Sequence, residues 1–383
     1  MNTEDSYEME RDTTEELLVG RPNLGNHDIF LSKTEEILKR RWLTNNGRNV
    51  QDLEKKLCSY LGVRHCIPVC NATVGLQLCV HAFGLTGEVV TTPYTFVATA
   101  HALQWEGIRP VFADIELSTH NLDPQAVEAA ITAHTTAILG VHVWGRPCVP
   151  EALQEIADRH KIPLMFDAAH AFGCSHNGRM IGNFGNCEVF SFHATKFFNT
   201  FEGGAIATND DDLAAKIRLM KNFGFSGMDN VVHLGTNAKM SEIHAAMGLA
   251  CYDVIDNILT TNKAHYNHYR KRLSSLPGIR FCNYDDVEKS NYQYIVIEID
   301  NDDCAIGRDS LMNHLHASGV MARRYFYPGC HNMEPYMSLY SDKQKKVPMT
   351  DKLTSRTLIL PTGTALTADD VDRVCDCIEA AII

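Results

Sequence analysis

The sequence has few of the features that mark nucleic-acid-binding, membrane-spanning or secreted proteins. Lysine and arginine number 35 against 47 aspartates and glutamates, so the net charge is −12 and no dense basic stripe is left for a nucleic acid. No uninterrupted apolar run approaches the ~18 residues that span a bilayer. Residues 1–16 are polar and acidic and lack the apolar core of a secretory signal. They predict a flexible acidic tail on a cytoplasmic protein.

Patterns of metal ligands are also missing, although cysteine is plentiful. Thirteen cysteines are scattered over residues 58–377, an odd number in a long chain without a secretory signal, which predicts reduced thiols. Neither Cys66/Cys70 nor Cys375/Cys377 is followed by a second pair at the spacing of a zinc site. The 18 histidines add no ligand cluster, so we expect no metal.

What the sequence does contain is an alternation of short apolar runs and helical patterns through residues 50–250, such as a strand at 137–143 followed by a helix at 150–160. Buried strands between helices favour a mostly parallel sheet covered on both faces, which is an α/β architecture. Beyond this region the pattern changes to a long helix with a few further strands and helices. We therefore predict a large α/β domain at 17–252 and a smaller C-terminal α+β domain at 253–383.

A lysine follows one of the predicted buried strands. The strand-like run covers residues 188–193, Lys196 comes directly after it, and the pair Gly203-Gly204 follows. A buried ammonium needs a partner or a function, and one such function is Schiff-base chemistry, for which burial lowers the lysine pKa and frees the amine. This segment alone fits a surface lysine at a strand end equally well.

An aspartate ends another predicted strand. The run Leu-Met-Phe-Asp places Asp167 at the carboxyl end of an apolar strand, where open α/β sheets bind ligands. A carboxylate there can pair with the pyridinium nitrogen of pyridoxal phosphate (PLP). Alone, Asp167 fits the N-cap of a following helix somewhat better, and the nearby His170 fits a packed core histidine.

A helix start completes the set. Asn71 is a good N-cap for an apolar helix that we expect to run to Phe83, and the free N–H groups of such a start bind phosphate. Every helix has a start, so this signal is weak by itself. A phosphate cradle, a strand-end aspartate and a later strand-end lysine, in that chain order, together indicate a PLP site.

Beyond these motifs, the chain from about Gly20 to its end resembles the DegT/DnrJ/EryC1/StrS sugar aminotransferases, which are PLP enzymes of fold type I. The resemblance implies a mostly parallel central sheet between helices, a smaller C-terminal domain, and a homodimer with shared active sites. The segments that carry it are Trp42–Gly47, Asn71–Leu76, Pro93–Phe96, Val141–Gly145, Asp167–His170, Ser191–Lys196 with Glu202–Gly204, Gly235–Asn237 with Ser241–Glu242 and Ala245–Ala246, and Tyr325–Pro328.

The resemblance also implies roles for individual residues. Lys196 would hold PLP covalently and move the proton in catalysis, and Asp167 would pair with the pyridine nitrogen. Asn237 would reach the phosphate in the active site of the neighbouring subunit. Ala72 stands where many relatives have Gly, yet its N–H remains available to the phosphate. The other expected contacts are Thr73 and Ser191 to the phosphate, Phe96 on the ring face, and His170, where the family more often has Gln, beside the phenolic oxygen.

The segments Trp42–Gly47, His193–Lys196 and Ala322–Pro328 look most like the family members that aminate dTDP-4-keto-6-deoxyglucose to dTDP-4-amino-4,6-dideoxyglucose. For those members L-glutamate is the expected amino donor. Arg323, Arg324 and Tyr325 would contact the sugar nucleotide. The adjacent arginines are explained equally well as exposed side chains or as side chains paired with carboxylates of the same chain.

Several alternatives stay open. An aminotransferase that acts on a 3-keto sugar nucleotide, a UDP-linked sugar or a cyclitol would have the same PLP motifs. Dehydratases of this family have histidine at the lysine position, so Lys196 argues against them. The retained Lys196 and Asp167 likewise argue against a non-catalytic binding protein of the same fold. Phe96 also fits a core aromatic at a helix start.

Overall fold

A computed structural model of the chain describes residues 16–300, 303–340 and 346–382, and all but the last residue of the predicted acidic tail lies outside them. The strands are β1 (Leu17–Leu18), β2 (His65–Val69), β3 (Glu88–Thr91), β4 (Arg109–Phe112), β5 (Thr135–Val141), β6 (Leu164–Asp167), β7 (Ser175–His176), β8 (Arg179–Met180), β9 (Cys187–Ser191), β10 (Gly204–Thr208), β11 (Ile279–Phe281), β12 (Ile295–Ile299), β13 (Val320–Met321) and β14 (Thr357–Leu360). The helices are α1 (His27–Arg40), α2 (Arg48–Leu61), α3 (Ala72–Phe83), α4 (Ala98–Gln104), α5 (Pro124–Ala130), α6 (Pro150–His160), α7 (Asp211–Met220), α8 (Glu242–Asp253), α9 (Ile255–Leu273), α10 (Arg308–Ala317), α11 (Glu334–Tyr340), α12 (Pro348–Thr354) and α13 (Ala368–Ile382).

A seven-stranded sheet with the order β2-β10-β9-β6-β5-β3-β4 forms the centre of the molecule. Only β10 runs against its two neighbours, so the predicted mostly parallel sheet is confirmed. Successive residues of one strand enter different cores: Met165 and Val189 pack on one face, whereas Phe166 and Phe190 pack on the other. Both faces are therefore buried, which explains why these strands are apolar throughout.

Helix α3 follows the sequence signals at both ends. The side chain of Asn71 accepts a hydrogen bond from the backbone N–H of Val74, and Gly84 ends the helix in the left-handed conformation with φ 63°. The predicted helix from Asn71 to Phe83 is thereby confirmed. The helix begins just after the carboxyl end of β2, which is an edge strand of the sheet.

A second, antiparallel sheet with the order β11-β12-β14 packs with α9, α10 and α13 around its own apolar core. Strand β1 pairs in parallel with β13, and Leu17 is buried in this C-terminal core. The predicted boundary after residue 252 stays a prediction, and Leu17 itself packs with the later unit. In the described parts of the chain, no helix has the length and apolarity needed to cross a membrane.

Candidate active site

The carboxyl ends of three neighbouring strands open into one cleft. Val141, Asp167 and Ser191, the last residues of β5, β6 and β9, line a space of about 550 Å³. Carboxyl ends of parallel strands are where open α/β sheets bind ligands. The predicted cofactor residues that this cleft brings together are Ala72, Thr73, Phe96, Asp167, His170, Ser191 and Lys196.

Asp167 is nearly inaccessible, with 6% of its surface exposed. Thr99 Oγ1 donates a hydrogen bond to Oδ2 at 2.7 Å, and the Ala169 N–H donates to Oδ1 at 3.0 Å. Burial raises the pKa of this carboxyl, while the two hydrogen bonds and the nearby Lys196 ammonium oppose the rise. Turns, and no helix, connect Asp167 to β7, so the N-cap interpretation is wrong.

Lys196 lies in the loop between β9 and β10 and lines the same cleft, so the interpretation as a surface lysine is wrong. Its Nζ donates to the hydroxyl of Tyr294 at 3.2 Å. Removal of the ammonium from water lowers the Lys196 pKa to about 8, against the opposing charge of Asp167. The neutral, nucleophilic amine is therefore much more populated near neutral pH than in an ordinary lysine.

A second lysine has a similarly lowered pKa but lies elsewhere. Burial lowers the pKa of Lys221 to about 8, and its Nζ donates to the backbone oxygen of Pro68 at 3.1 Å. Lys221 does not line the cleft that holds Asp167. Position beside the buried carboxylate, and not the pKa alone, therefore singles out Lys196.

His170 is buried beside Lys196, and burial lowers its pKa well below the usual value. The backbone N–H of Trp144 donates to His170 Nδ1 at 3.3 Å. Because Nδ1 accepts this bond, the neutral ring carries its proton on Nε2. His170 can therefore donate a hydrogen bond to a ligand in the cleft.

The start of α3 also lines the cleft. The first turn leaves the N–H groups of Ala72 and Thr73 without an intrahelical acceptor, which suits a phosphate. Strand β10 approaches this turn so closely that a Cβ on Gly204 would lie 2.8 Å from the nitrogen of Ala72. Only glycine permits this approach. An anion cradle, a buried carboxylate and an amine of lowered pKa together fit the phosphate, ring nitrogen and aldehyde of PLP.

Phe96 and the predicted sugar-nucleotide residues lie at the rim. Phe96 is 60% exposed, so its interpretation as a core aromatic is wrong. It shares with Tyr325 the wall between the cofactor cleft and an adjoining cleft of about 670 Å³. Arg323 and Arg324 line only this second cleft. The Arg324 guanidinium pairs with Asp309 at 2.9 Å.

Asn237 is the one predicted cofactor residue that lies outside the cleft of its own chain. Its side chain is exposed, and its Oδ1 accepts a hydrogen bond from Lys239 Nζ at 2.7 Å. A role in the active site of this same subunit is therefore not supported by its position.

Three residues of the site were absent from the predicted set. Thr99 holds Asp167, Tyr294 holds Lys196, and Trp144 holds His170. Trp144 lies within one of the segments that carry the family resemblance, so a signal was present there. Thr99 and Tyr294 carry no such signal, because a threonine in a helix and a tyrosine before a strand are ordinary residues.

The lysine and aspartate at the carboxyl edge of this sheet fit a site of the PLP-dependent aminotransferase class. The model of the DegT/DnrJ/EryC1/StrS aminotransferase family matches residues 26–379. The chain belongs to this family.

Several similar proteins have names that refer to nucleotide-linked sugars. The chain is 39% identical to a dTDP-4-amino-4,6-dideoxy-D-glucose transaminase of Shigella dysenteriae, over 94% of this chain and 97% of that protein. It is 33% identical to the GDP-perosamine synthase of Caulobacter vibrioides, over 91% and 94% of the two chains. The crystal structure of DesI in the presence of its TDP-sugar product superimposes with a TM-score of 0.92 and 48% identity, covering 96% of this chain and 93% of DesI.

The lowered pKa of Lys196 predicts how capture of PLP by the cofactor-free protein depends on pH. Only the neutral amine attacks, so the capture rate should rise about tenfold per pH unit below pH 8 and level off above it. Stopped-flow absorbance after mixing with PLP measures this rate. A profile that still rises steeply near pH ~10 would indicate an ordinary lysine and contradict the assignment.

The matched variant is Asp167→Asn. The carboxylate of Asp167 raises the pKa of Lys196, so its removal should shift the profile to lower pH. Lys196→Ala should show no capture at any pH.

Proposed function

We propose that this protein transfers the amino group of L-glutamate to C4 of dTDP-4-dehydro-6-deoxy-D-glucose, with PLP as the cofactor. The products are dTDP-4-amino-4,6-dideoxy-D-glucose and 2-oxoglutarate. The observation that carries the proposal is the pairing of Lys196 with buried Asp167 in one cleft. The 39% identity to transaminases named for this amino sugar supports the choice of substrate.

The residues of the cleft divide the work of holding the cofactor. Ala72, Thr73 and Ser191 bind its phosphate, and Asp167 holds a proton on its ring nitrogen. When bound, PLP supplies a ring that withdraws electrons from the carbon that loses its proton. Lys196 Nζ attaches the cofactor and then takes and returns the substrate proton, for which a pKa near neutrality is well suited.

The adjoining cleft suits the sugar nucleotide. It opens from the cofactor cleft past Phe96 and Tyr325 and carries Arg323 and Arg324 on its wall. Asp309 pairs with both Arg324 and Arg308, whereas among the described residues no carboxylate pairs with Arg323. Arg323 is therefore the stronger candidate for the diphosphate, because an unpaired guanidinium matches its charge and geometry.

The proposal includes a homodimer. The loop from α7 to α8, which carries Asn237, also exposes Phe223, Met228 and Leu234 at 45%, 89% and 78%. Large apolar side chains concentrated on one loop favour a covered surface, and a second copy would bring Asn237 to the neighbour's phosphate. The 13 unpaired cysteines suit a reducing compartment, which supports a cytoplasmic location.

A GDP-linked 4-keto-6-deoxy sugar is the second candidate acceptor, favoured by the 33% identity to GDP-perosamine synthase. The residues that hold PLP do not contact the nucleotide in this proposal. The same catalytic groups would therefore serve a GDP-linked acceptor. They would also serve a UDP-linked sugar, a 3-keto sugar nucleotide or a cyclitol ketone.

Product analysis tests the proposal. The PLP-loaded protein is incubated with L-glutamate and dTDP-4-dehydro-6-deoxy-D-glucose, and mass spectrometry and NMR identify the amino sugar. We expect the C4 amine and a kcat/KM at least about tenfold above that for the GDP-linked ketone. Lys196→Ala should lower kcat by about a thousandfold or more. Lys216→Ala, a partly buried lysine outside the cleft whose Nζ donates to the Ala82 oxygen, should leave it unchanged.

The outcomes separate the alternatives. A product from only the GDP-linked, UDP-linked, 3-keto or cyclitol substrate would leave the chemistry in place and overturn the acceptor. A protein that binds PLP yet releases no 2-oxoglutarate from glutamate would overturn the transaminase.

Hybrid dimers test the role of Asn237. Lys196→Ala and Asn237→Ala subunits, each nearly inactive alone, are unfolded together and refolded at equal concentration. If Asn237 serves the neighbour, each hybrid contains one intact site, so random pairing should restore about a quarter of wild-type activity. If Asn237 serves its own subunit or none, mixing restores nothing beyond the two separate variants.

A further inference from the structure

Trp144 connects the cofactor cleft to groups outside it. The residue lies in the short turn Val143–Gly145 after β5, and its side chain is completely buried. The indole stacks on the Phe326 ring at 5.0 Å and, on the cleft side, on the His170 ring at 5.9 Å, with both pairs 10° from parallel. Its backbone N–H is the donor to His170 Nδ1. The position of Trp144 therefore sets which nitrogen of His170 carries the proton.

The side chain of Trp144 is held in turn by His120. The indole Nε1–H donates to His120 Nδ1 at 3.0 Å, and His120 Nε2 lies 3.1 Å from Glu298 Oε1. An indole N–H is only a donor, so His120 Nδ1 must accept and Nε2 must carry the proton that faces Glu298. Glu298 belongs to β12 of the C-terminal sheet. Trp144 thus donates in two directions: its indole N–H donates to His120, which donates to Glu298 of that sheet, and its backbone N–H donates to His170.

The backbone at both connecting residues is strained. His120 has φ 63° and Trp144 has φ 61°, a left-handed conformation that costs free energy for residues other than glycine. The side chain of Asn121 joins the two segments, because it accepts from the Val143 N–H and donates to the backbone oxygens of Arg146 and Pro147. A left-handed backbone at residues other than glycine persists only where surrounding contacts stabilise it. Here those contacts also fix the position of the Trp144 N–H that donates to His170.

We propose that His120 is a positioning residue that acts through Trp144: its Nδ1 holds the indole, so that the Trp144 backbone N–H stays on His170 Nδ1 and the His170 proton stays on Nε2, available to the cleft. His120 lines a different surface depression, together with Glu298 and Arg146, and is not among the described residues that line the cofactor cleft. The consequence for catalysis rests on the proposed function, because His170 donates to the cofactor only when PLP is bound. The tautomer itself does not depend on the cofactor.

The test therefore uses the cofactor-free full-length protein labelled with ¹⁵N-histidine. Long-range ¹H–¹⁵N spectra report the tautomer of each ring, and the signals of His170 are those lost in His170→Asn. In the wild type we expect a single tautomer with the proton on Nε2. In His120→Ala and in Trp144→Phe, which retains a stacking ring without the indole N–H, the Nδ1 signal should move toward the average of the two tautomers.

Two further variants control for general damage. His120→Asn places an oxygen acceptor where Nδ1 was and tolerates left-handed backbone, so it should retain the wild-type tautomer. His265→Asn changes another buried histidine, which contacts Thr362 in the C-terminal unit, and should leave His170 unaffected. With PLP bound, His120→Ala should lower kcat about tenfold while the KM for the sugar nucleotide stays the same.

An unchanged His170 Nδ1 signal in either His120→Ala or Trp144→Phe would overturn the proposal. If His120→Ala does not fold, Trp144→Phe decides the question alone. A protein without transaminase activity but with the expected tautomer shift would retain the positioning role and reject only the proposed function.

Discussion

The buried carboxylate of Asp167 is the group on which the rest of the site depends. A carboxylate removed from water needs donors, and the chain supplies the Thr99 hydroxyl, the Ala169 N–H and the nearby Lys196 ammonium. The same desolvation acts on Lys196 in the opposite sense and lowers its pKa. Desolvation therefore favours the neutral amine of Lys196, whereas the hydrogen bonds from Thr99 and Ala169 and the charge of Lys196 oppose its effect on Asp167 and favour the carboxylate that a ring nitrogen needs.

The mostly parallel sheet makes this pairing possible, because it brings the ends of strands that are distant in sequence to one edge. That part of the architecture was predictable. Strands such as β6 are apolar on both faces, and helix α3 has a cap at each end. Asp167 is the last residue of β6, and Lys196 lies in the loop shortly after β9. Helices α1 and α8 were not predicted, because neither has a clear apolar face on one side only. Ile37 is the only buried residue of α1, and α8 is buried on most sides. The long helix expected beyond residue 250 begins at Ile255, after α8 has ended.

Contacts that close over long sequence separations were not predictable. Tyr294 reaches Lys196 across 98 residues, and Glu298 reaches His120 across 178. No local pattern marks such pairs, because each depends on how the C-terminal sheet docks against the cleft. The antiparallel direction of β10, which follows β9 after the loop that carries Lys196, was likewise not predicted. The pairing of Arg324 with Asp309 is likewise a contact that the adjacency of the two arginines does not reveal, and their role toward a sugar nucleotide stays a prediction.

The central claim is that Lys196, and no other lysine, is the attachment point of PLP. Borohydride reduction of the PLP-loaded protein converts the bond between lysine and cofactor into a stable amine, and peptide mass spectrometry then locates it. Lys221 is the informative rival, because burial lowers its pKa to about 8 as well. We predict a pyridoxyl group on the peptide that contains Lys196 and on no other. A label on Lys221, or on no lysine at all, would contradict the account.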